Sequence, residues 1–386
     1  MRGAGFGFVG DLVVGILGSF IGTWLFPRLG LHLGSGIVSV LVNGTLGRSH
    51  AARRQRVSPR AWICRNSISS FDALVLKGSH SLEIVVSLLS VRHVTTYRYK
   101  RPVHFGEHRM MLRPRDSYDQ RLLESTLTIT PKPSNIRWIL DVFGNCVTMV
   151  SFDSAADMLR IESNITLDHT PSNAPDFHLD EEARHYPFIY NASEMPDLSR
   201  AIERQYLDPH DDVGHWARQF TRVGRPTETG SLLMTMTHAI QDGFAYARRS
   251  ENGTQAPLTT LASRRGTCRD FAVLMMEAVR SLGFAARFVS GYIYVPDRDK
   301  AGQYVGGGAT HAWVQVYLPG SGWVEFDPTN AIVGSRDLIR VAVARDCRQA
   351  LPISGSYFGE TGDDDGMEIE VNVYSGGPPS RPVKAE

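Results

Sequence analysis

Residues 268–282 constrain the fold more than any other stretch of the chain. Their apolar positions recur at three- and four-residue steps along one helical face, namely Phe271, Leu274, Met275, Ala278 and Leu282. Gly283 follows as a helix terminator. A helix with such a face packs against another element. Because Gly266 and Thr267 precede the run, Cys268 is predicted to lie at or near its first helical position.

The first turn of a helix is a favourable place for a reactive cysteine. Unpaired backbone N–H groups and the partial positive charge of the helix N-terminus both stabilise a thiolate. The neighbouring cations Arg265 and Arg269 favour the same state. The alternative interpretation is a small apolar core cysteine. Other residues must therefore decide between the two.

Two more residues complete a candidate nucleophile, base and orienting group. His311 begins the strand-like run 311–318, and Asp327 directly follows the strand-like run 322–326. Cys, His and Asp in this order can act as nucleophile, general base and orienter of the base. A helix N-terminus and the ends of two adjacent strands can meet in a simple topology. We therefore expect Cys268, His311 and Asp327 to lie together.

Upstream of this region, the pattern changes to short strand-like runs rich in β-branched and aromatic residues. Alternating runs occupy residues 91–99, 123–130 and 159–167. The dipeptide Gly144-Asn145 between two such runs is a strong hairpin signal. Several short strands separated by turn residues predict a β-sandwich.

The first 47 residues contain two apolar runs, at 8–26 and 29–46. Each approaches the roughly 20 residues needed to cross a bilayer. An arginine-rich block follows, and the positive-inside rule would keep it cytoplasmic; its members are Arg48, Arg53, Arg54, Arg56 and Arg60. We therefore expect a membrane helical hairpin, with membrane association through residues 8–46. Two glycine-rich buried helices are the alternative.

Composition limits the remaining classes of function. The net charge of +1 over 386 residues provides no global attraction to nucleic acid, so no nucleic-acid partner is expected. The four cysteines are widely scattered, at Cys64, Cys146, Cys268 and Cys347. Because none forms a cluster with zinc-ligand spacing, no metal or cofactor is expected. A disulfide-based scaffold is not expected at this cysteine density either.

Three motifs carry a resemblance to a known family, at residues 265–272, 310–317 and 322–330. As a set they resemble the core of the bacterial transglutaminase-like superfamily. Residues 91–167 are similar to the β-rich domain that precedes this core in a bacterial subfamily. The resemblance implies an α+β protein with a papain-like core, in which a nucleophile helix packs against an antiparallel sheet. A β-sandwich would precede that core, behind two N-terminal hydrophobic helices.

The resemblance also implies roles for particular residues. Cys268 would be the nucleophile, His311 would protonate the leaving amine, and Asp327 would fix the tautomer of the ring. The backbone N–H of Cys268 would help to hold an oxyanion. Trp313 and Trp323 are candidates for lining the substrate cleft, although packing alone would also explain them.

The activity implied by the resemblance is attack on an amide bond of a protein or peptide through an acyl-thioester. Transfer of the acyl group to water would make the chain a peptidase or amidase, which is the favoured interpretation. Transfer to an amine would make it a protein-glutamine transamidase. A non-catalytic interaction module on the same fold is the third alternative.

The motifs divide the chain into predicted regions. These are a membrane hairpin (1–47), a basic linker (48–87), the β-sandwich (88–170), a connecting region (171–230), the catalytic core (231–345) and a partly disordered C-terminal extension (346–386). Ser231 is expected to cap the first core helix. Residues 367–374 are expected to add an edge strand to the core sheet.

The expected location follows from the N-terminal segment. Residues 1–47 resemble the transglycosylase-associated family of small bacterial membrane proteins, through residues 10–16 and 31–47. The catalytic region is expected to be cytoplasmic and anchored to the membrane by this segment. If the natural chain starts near residue 88, the same region would be soluble in the cytoplasm.

Overall fold

The computed structural model describes residues 87–170, 178–247, 253–295 and 308–376. The predicted membrane hairpin of residues 1–47 and nearly all of the predicted linker lie outside the described residues. Both therefore stay predictions. No described helix combines the length and apolar character that a membrane crossing requires.

The described elements alternate between β-rich and helical segments. The strands are β1 (Ser87–Phe105), β2 (His108–Arg113), β3 (Gln120–Thr130), β4 (Asn135–Leu140), β5 (Cys146–Ser151), β6 (Ala156–His169), β7 (His185–Tyr186), β8 (Thr227–Glu228), β9 (Ala245–Tyr246), β10 (Arg265–Gly266), β11 (Ala286–Ile293), β12 (His311–Leu318), β13 (Gly322–Asp327), β14 (Ile332–Val333), β15 (Leu338–Ala344), β16 (Ile353–Ser354), β17 (Tyr357–Phe358) and β18 (Asp364–Ser375). The helices are α1 (Met195–Ile202), α2 (Asp212–Arg218), α3 (Thr229–Gly243), α4 (Pro257–Ser263) and α5 (Cys268–Ser281), with 3-10 turns at Glu181–Ala183 and Cys347–Ala350.

The first lobe is built from two antiparallel sheets. One has the order β17–β1–β6–β3, with β18 also paired to β1, and the other has the order β16–β2–β5–β4. Every second side chain of β6 from Leu159 to His169 is buried, as expected for a strand with one face against a core. Apolar side chains of both sheets, among them Phe105, Met110 and Ile161, form one cluster. This is the two-sheet arrangement that the alternating runs predicted.

The hairpin predicted at Gly144-Asn145 joins β4 to β5, with Leu140 opposite Cys146. One carboxylate oxygen of Asp141 accepts hydrogen bonds from the backbone N–H groups of Phe143 (2.9 Å) and Asn145 (2.8 Å). The Asn145 side chain also bonds the backbone of Val343 on β15, donating to its carbonyl (2.7 Å) and accepting from its N–H (2.9 Å). The hairpin therefore fastens the first lobe to the second.

The second lobe contains a five-stranded antiparallel sheet with the order β14–β13–β12–β11–β15. Helix α5 packs on one face of it, against side chains such as Val314, Val316 and Phe288. The helix is more deeply enclosed than its single apolar face predicted, since Val273 and Met276 are also fully buried. A helix surrounded by other elements is held rigidly, and so is its first residue.

The charged residues of α5 are enclosed as well. Glu277 is fully buried, forms an ion pair with Arg280 (3.0 Å) and accepts the backbone N–H groups of Gln205 and Tyr206. A buried carboxylate must be paired in this way, because an isolated one would be very costly. The segment between the two lobes is thereby tied to the C-terminal half of α5.

The predicted connecting region contains helices, and the expected cap of the first core helix needs correction. The connecting region contains helices α1 and α2, and the second contributes Val213 and Trp216 to the main core. The first core helix begins at Thr229 and is capped by Glu228, not by Ser231. The Glu228 carboxylate accepts the backbone N–H groups of Gly230 and Ser231. Ser231 already lies within the first turn of this helix, so it is not the residue that caps its start.

The expected edge strand of the core sheet is wrong. Residues 367–374 form part of β18, which pairs with β1 of the first lobe from Leu89 opposite Ser375 to Tyr99 opposite Asp364. The alternating pattern was sufficient to predict a strand but carried no information about its distant partner. β1 has β6 on one edge, so its other edge needs a partner and receives β18 and β17.

We predict that a chain ending at Ala350 does not form a stable first lobe, because it lacks β16, β17 and β18. The expected result is loss of soluble protein or a much lower melting temperature, measured by circular dichroism. A chain ending at Gly376 keeps every described strand and serves as the control. Equal melting temperatures for the two chains would contradict the assigned pairing.

Candidate active site

Cys268 is the first residue of α5, as predicted, and is 5% exposed. The turn before it is fixed by the buried carboxylate of Asp270. One oxygen of this carboxylate accepts the backbone N–H (2.8 Å) and the hydroxyl (2.9 Å) of Thr267, and the other accepts the N–H of Gln255 (2.6 Å). Asp270 therefore positions the loop around the cysteine, and the N-terminus of α5 presents its N–H groups beside the thiol.

His311 and Asp327 lie at the ends of adjacent strands and are both fully buried. His311 begins β12 and Asp327 ends β13. The Nε2 atom of the ring lies 2.7 Å from Oδ2 of the carboxylate. The structure thus joins the predicted base to its predicted orienter.

The Asp327 carboxylate is held from three directions. Besides His311, its Oδ2 accepts the side-chain amide of Asn330 (2.8 Å), and its Oδ1 accepts the backbone N–H of Thr329 (2.9 Å). Burial alone would raise the pKa of Asp327, but the attraction of His311 and these hydrogen bonds lower it below its ordinary value. Asp327 is therefore an anion within the protein interior.

This anion determines the charge of the ring. Burial would lower the pKa of His311, but the charge and hydrogen bond of Asp327, together with the nearby Cys268 thiol, raise it to about 10. With Nε2 bound to Asp327, Nδ1 is the nitrogen that remains for the thiol. Nδ1 is buried, and none of the described residues forms a hydrogen bond with it. The arrangement can support a thiolate and imidazolium pair.

The arginines beside Cys268 are placed differently from each other. The Arg265 side chain is exposed. The Arg269 guanidinium donates to the carbonyl of Cys347 (3.2 Å) and lies over the ring of Phe288, 5.0 Å from its centre. Its main contacts are therefore with the 3-10 turn after β15 and with the core sheet.

The two tryptophans predicted to line a cleft occupy other positions. Trp313 is fully buried, stacks on the His311 ring with centroids 5.9 Å apart, and packs against Val289 and Leu338. Its full burial against the base agrees with the packing explanation, and a role in lining the substrate cleft stays a prediction. Trp323 is four positions before Asp327 on β13, about 13 Å away at strand spacing. It lies under the guanidinium of Arg287.

Sequence reasoning assigned no role to Asn330 or Gly291, and both support the site. Gly291 lies opposite His311 in the sheet. A Cβ atom at this position would lie 2.0 Å from the Ile339 carbonyl oxygen and 2.7 Å from the Trp313 ring. A glycine inside an otherwise apolar strand is the signal that could have identified it. Asn330 stands within the third motif, but its contact with Asp327 depends on the turn after β13.

None of the described residues form a group of three or more His, Cys, Asp or Glu side chains that could hold a metal ion. The functional groups that the site brings together are a thiol, an imidazole and a carboxylate.

Two family models match the chain. Residues 89–168 match the bacterial transglutaminase-like N-terminal region, and residues 214–328, which contain Cys268, His311 and Asp327, match the transglutaminase-like superfamily. The chain belongs to the transglutaminase-like superfamily. Its β-rich first lobe corresponds to the N-terminal region of bacterial transglutaminase-like proteins.

Members of the superfamily and structural neighbours show different degrees of similarity. An uncharacterised protein of Mycobacterium tuberculosis is 27% identical over 317 residues, covering 80% of this chain and 96% of that protein. A protein-glutamine gamma-glutamyltransferase of Pseudomonas aeruginosa is 36% identical over 76 residues, 19% of this chain and 11% of that protein. A candidate cysteine protease of Cytophaga hutchinsonii superposes with a TM-score of 0.56 at 20% identity, covering 75% of this chain and 91% of the other. The predicted papain-like fold is confirmed, in a mixed chain with more strand than helix.

Replacing Asp327 with Asn should slow the alkylation of Cys268 at neutral pH. In the natural chain the ring keeps its proton below a pKa of about 10, so a positive charge faces the thiol at neutral pH. In Asp327→Asn, burial still lowers the ring pKa and only the Cys268 thiol opposes it, so the ring loses its proton at a lower pH than in the natural chain. Labelling by iodoacetamide at pH 7 should then fall by roughly tenfold or more and rise with pH.

The half-buried thiol of Cys146 is an internal control for that experiment. Mass spectrometry of the peptides reports both cysteines in one sample. A variant that labels Cys268 as quickly as the natural chain at pH 7 would show that Asp327 does not sustain the ion pair.

Replacing Gly291 with Ala should destabilise the protein by about 1–3 kcal/mol, because the new methyl overlaps a backbone carbonyl and the Trp313 ring. The displaced ring should also slow the labelling of Cys268. Gly243→Ala is a matched control, since a Cβ there lies 3.4 Å from the tip of the Arg264 side chain. Urea unfolding curves measure both variants, and equal stabilities would refute the packing argument.

Proposed function

We propose that the protein is a cysteine enzyme that cleaves amide bonds of proteins or peptides through an acyl-thioester, with water as the usual acyl acceptor. One observation carries the proposal. The buried His311 ring is bound through Nε2 to an ionised Asp327, and its pKa is raised partly by the Cys268 thiol at the start of α5. A chain without this chemistry would have no need to bury three such groups together.

In the proposed reaction, the Cys268 thiolate attacks the amide carbon and forms a carbon–sulfur bond. The protonated Nδ1 of His311 then donates its proton to the amide nitrogen as the carbon–nitrogen bond breaks, and the amine leaves. The acyl group remains on sulfur as a thioester. Asp327 holds Nε2–H throughout, so Nδ1 is the atom that gives and takes the proton.

The second half-reaction uses the same atoms in reverse. Nδ1 of the now neutral His311 accepts a proton from water as the water oxygen attacks the thioester carbon. The carbon–sulfur bond breaks, the carboxylic acid is released, and the thiolate and imidazolium are restored. The backbone N–H of Cys268, at the first position of α5, would stabilise the oxyanion in both halves.

Hydrolysis is the preferred outcome because water needs no dedicated binding site. Transfer to an amine requires a surface that binds the amine and excludes water from the thioester. The name of the Cytophaga hutchinsonii neighbour, a candidate cysteine protease, points in the same direction.

The second candidate is a protein-glutamine transamidase. It is favoured by the local similarity to the Pseudomonas aeruginosa protein-glutamine gamma-glutamyltransferase. That similarity extends over 76 residues, so it supports the alternative without replacing hydrolysis. A non-catalytic module is less favoured, because such a module would gain nothing from an ionised Asp327 paired to a buried ring.

The two activities can be separated by mass spectrometry of peptide substrates with and without a primary amine. Hydrolysis should give shorter peptides or a deamidated side chain, whereas transamidation should give an amide-linked adduct of the amine. Cys268→Ala should lose at least about a thousandfold of either activity, because the nucleophile is absent. Its circular dichroism should match that of the natural chain.

Cys146→Ala is the matched control, since it removes a thiol from the other lobe and should leave turnover unchanged. If a substrate is turned over equally by Cys268→Ala, the nucleophile has been assigned to the wrong residue. If the amine adduct dominates at low amine concentration, the transamidase alternative replaces the peptidase or amidase.

A further inference from the structure

A cavity of about 380 Å³ lies between the two lobes, on the core sheet. Its floor includes Arg287, Gln315 and Trp323 from three neighbouring strands. The side chains of Val314 and Val316 pack on α5, so Gln315 between them points to the other face. The cavity is therefore on the side of the sheet that is opposite α5, and it is separate from the thiol.

Arg287 is the central charged group of this cavity. Its Nε donates to the side-chain oxygen of Gln315 (2.6 Å), and its guanidinium lies over the Trp323 ring, 4.1 Å from the centre. No described carboxylate lies within ion-pair distance of it. Burial, reinforced by the charges of Arg340 and Arg115 and opposed by Glu325, lowers the pKa of Arg287 to about 10. Its positive charge is thus incompletely compensated.

Arg340, which also lines the cavity, is fully compensated. It forms ion pairs with Glu325 and with Asp119 (2.9 Å), and it donates to the Ser117 hydroxyl (2.8 Å). The charge of Arg340 is therefore balanced by carboxylates of the protein itself. Among the described residues, Arg287 has no equivalent partner.

A second arginine faces the cavity from the first lobe. Arg115 is exposed and donates to the Phe143 carbonyl (3.5 Å), and its guanidinium occupies the space that a side chain at position 144 would fill. Asp116 lines the cavity too, and its Oδ1 accepts the N–H of Leu122 (2.7 Å). Ser321 contributes a buried hydroxyl that has no hydrogen-bond partner among the described residues.

The walls of the cavity are already fixed. The Asn145 side chain both donates to and accepts from the backbone of Val343 on β15. The Gln120 side-chain amide likewise donates to the backbone carbonyl of Arg340 (2.9 Å) and accepts its backbone N–H (3.0 Å). A site held in this way needs little ordering when a ligand binds.

We infer that this cavity binds a small organic carboxylate, held by Arg287 and Arg115, with its apolar part against Trp323 and an oxygen within reach of Ser321. Guanidinium groups bind planar carboxylates through paired hydrogen bonds, and a bound carboxylate supplies the charge that Arg287 lacks. The volume falls within the range of small-molecule sites. Cys268, His311 and Asp327 do not line this cavity.

Isothermal titration of the full chain with succinate, succinamide and inorganic phosphate tests the site. Succinate should bind, and its uncharged analogue succinamide should bind at least about tenfold more weakly, because it cannot form charge-assisted bonds. Arg287→Gln should weaken succinate binding by about tenfold or more. Cys268→Ala should bind succinate as the natural chain does, which keeps this test independent of the enzyme activity.

Arg200→Gln is the control, because Arg200 is exposed on α1 and paired with Glu203 (2.8 Å). If Arg287→Gln fails to fold, Arg115→Gln carries the test, since its side chain is exposed and should also weaken binding. Equal affinity in both cavity variants, or no binding of succinate, would overturn the inference. Tighter binding of phosphate than of succinate would overturn the assignment to carboxylates.

Discussion

The hydrogen bond between His311 and Asp327 is the interaction on which the candidate active site depends. It forms because β12 and β13 are antiparallel neighbours, so the first residue of one comes close to the last residue of the other. Removing a carboxylate from water is costly, and three hydrogen-bond donors offset that cost here. The resulting buried anion keeps a proton on the ring, and the charged ring in turn favours a thiolate at Cys268.

The surrounding elements hold these groups in place through packing. Helix α5 is enclosed along its whole length, which fixes Cys268 at its start. Trp313 supports the His311 ring, and the absence of a side chain at Gly291 leaves room for Trp313. The site is thus built from backbone register and close packing. Such preorganisation is what a charge-separated catalytic pair requires.

How much could be predicted depended on the range of the interaction. The helical period and the preceding glycine placed Cys268 at a helix start, and the ends of two strand-like runs placed His311 and Asp327 beside it. Those signals are local. The sequence did not predict that Glu228 caps α3, because Ser is a more common capping residue than Glu and Ser231 stands close by. The roles of Asn330 and Trp313 depend on how a turn and a sheet face fold back onto the site, and no local pattern reports this. The partner of β18 could not be read from its own alternation, because it lies more than 250 positions earlier in the chain.

The pairing of β1 with β18 means that the first lobe can be completed only late in synthesis. During synthesis β1 emerges early, yet its second edge stays open until β18 leaves the ribosome, after the whole core sheet. The nascent chain therefore carries an unpaired strand edge for most of its translation, and such an edge readily pairs with other chains. The contacts that close the first lobe are also among the most distant in sequence, and contacts of this kind carry a large loop-closure cost. The second lobe, whose strands are all close in sequence, can assemble before the lobe that precedes it.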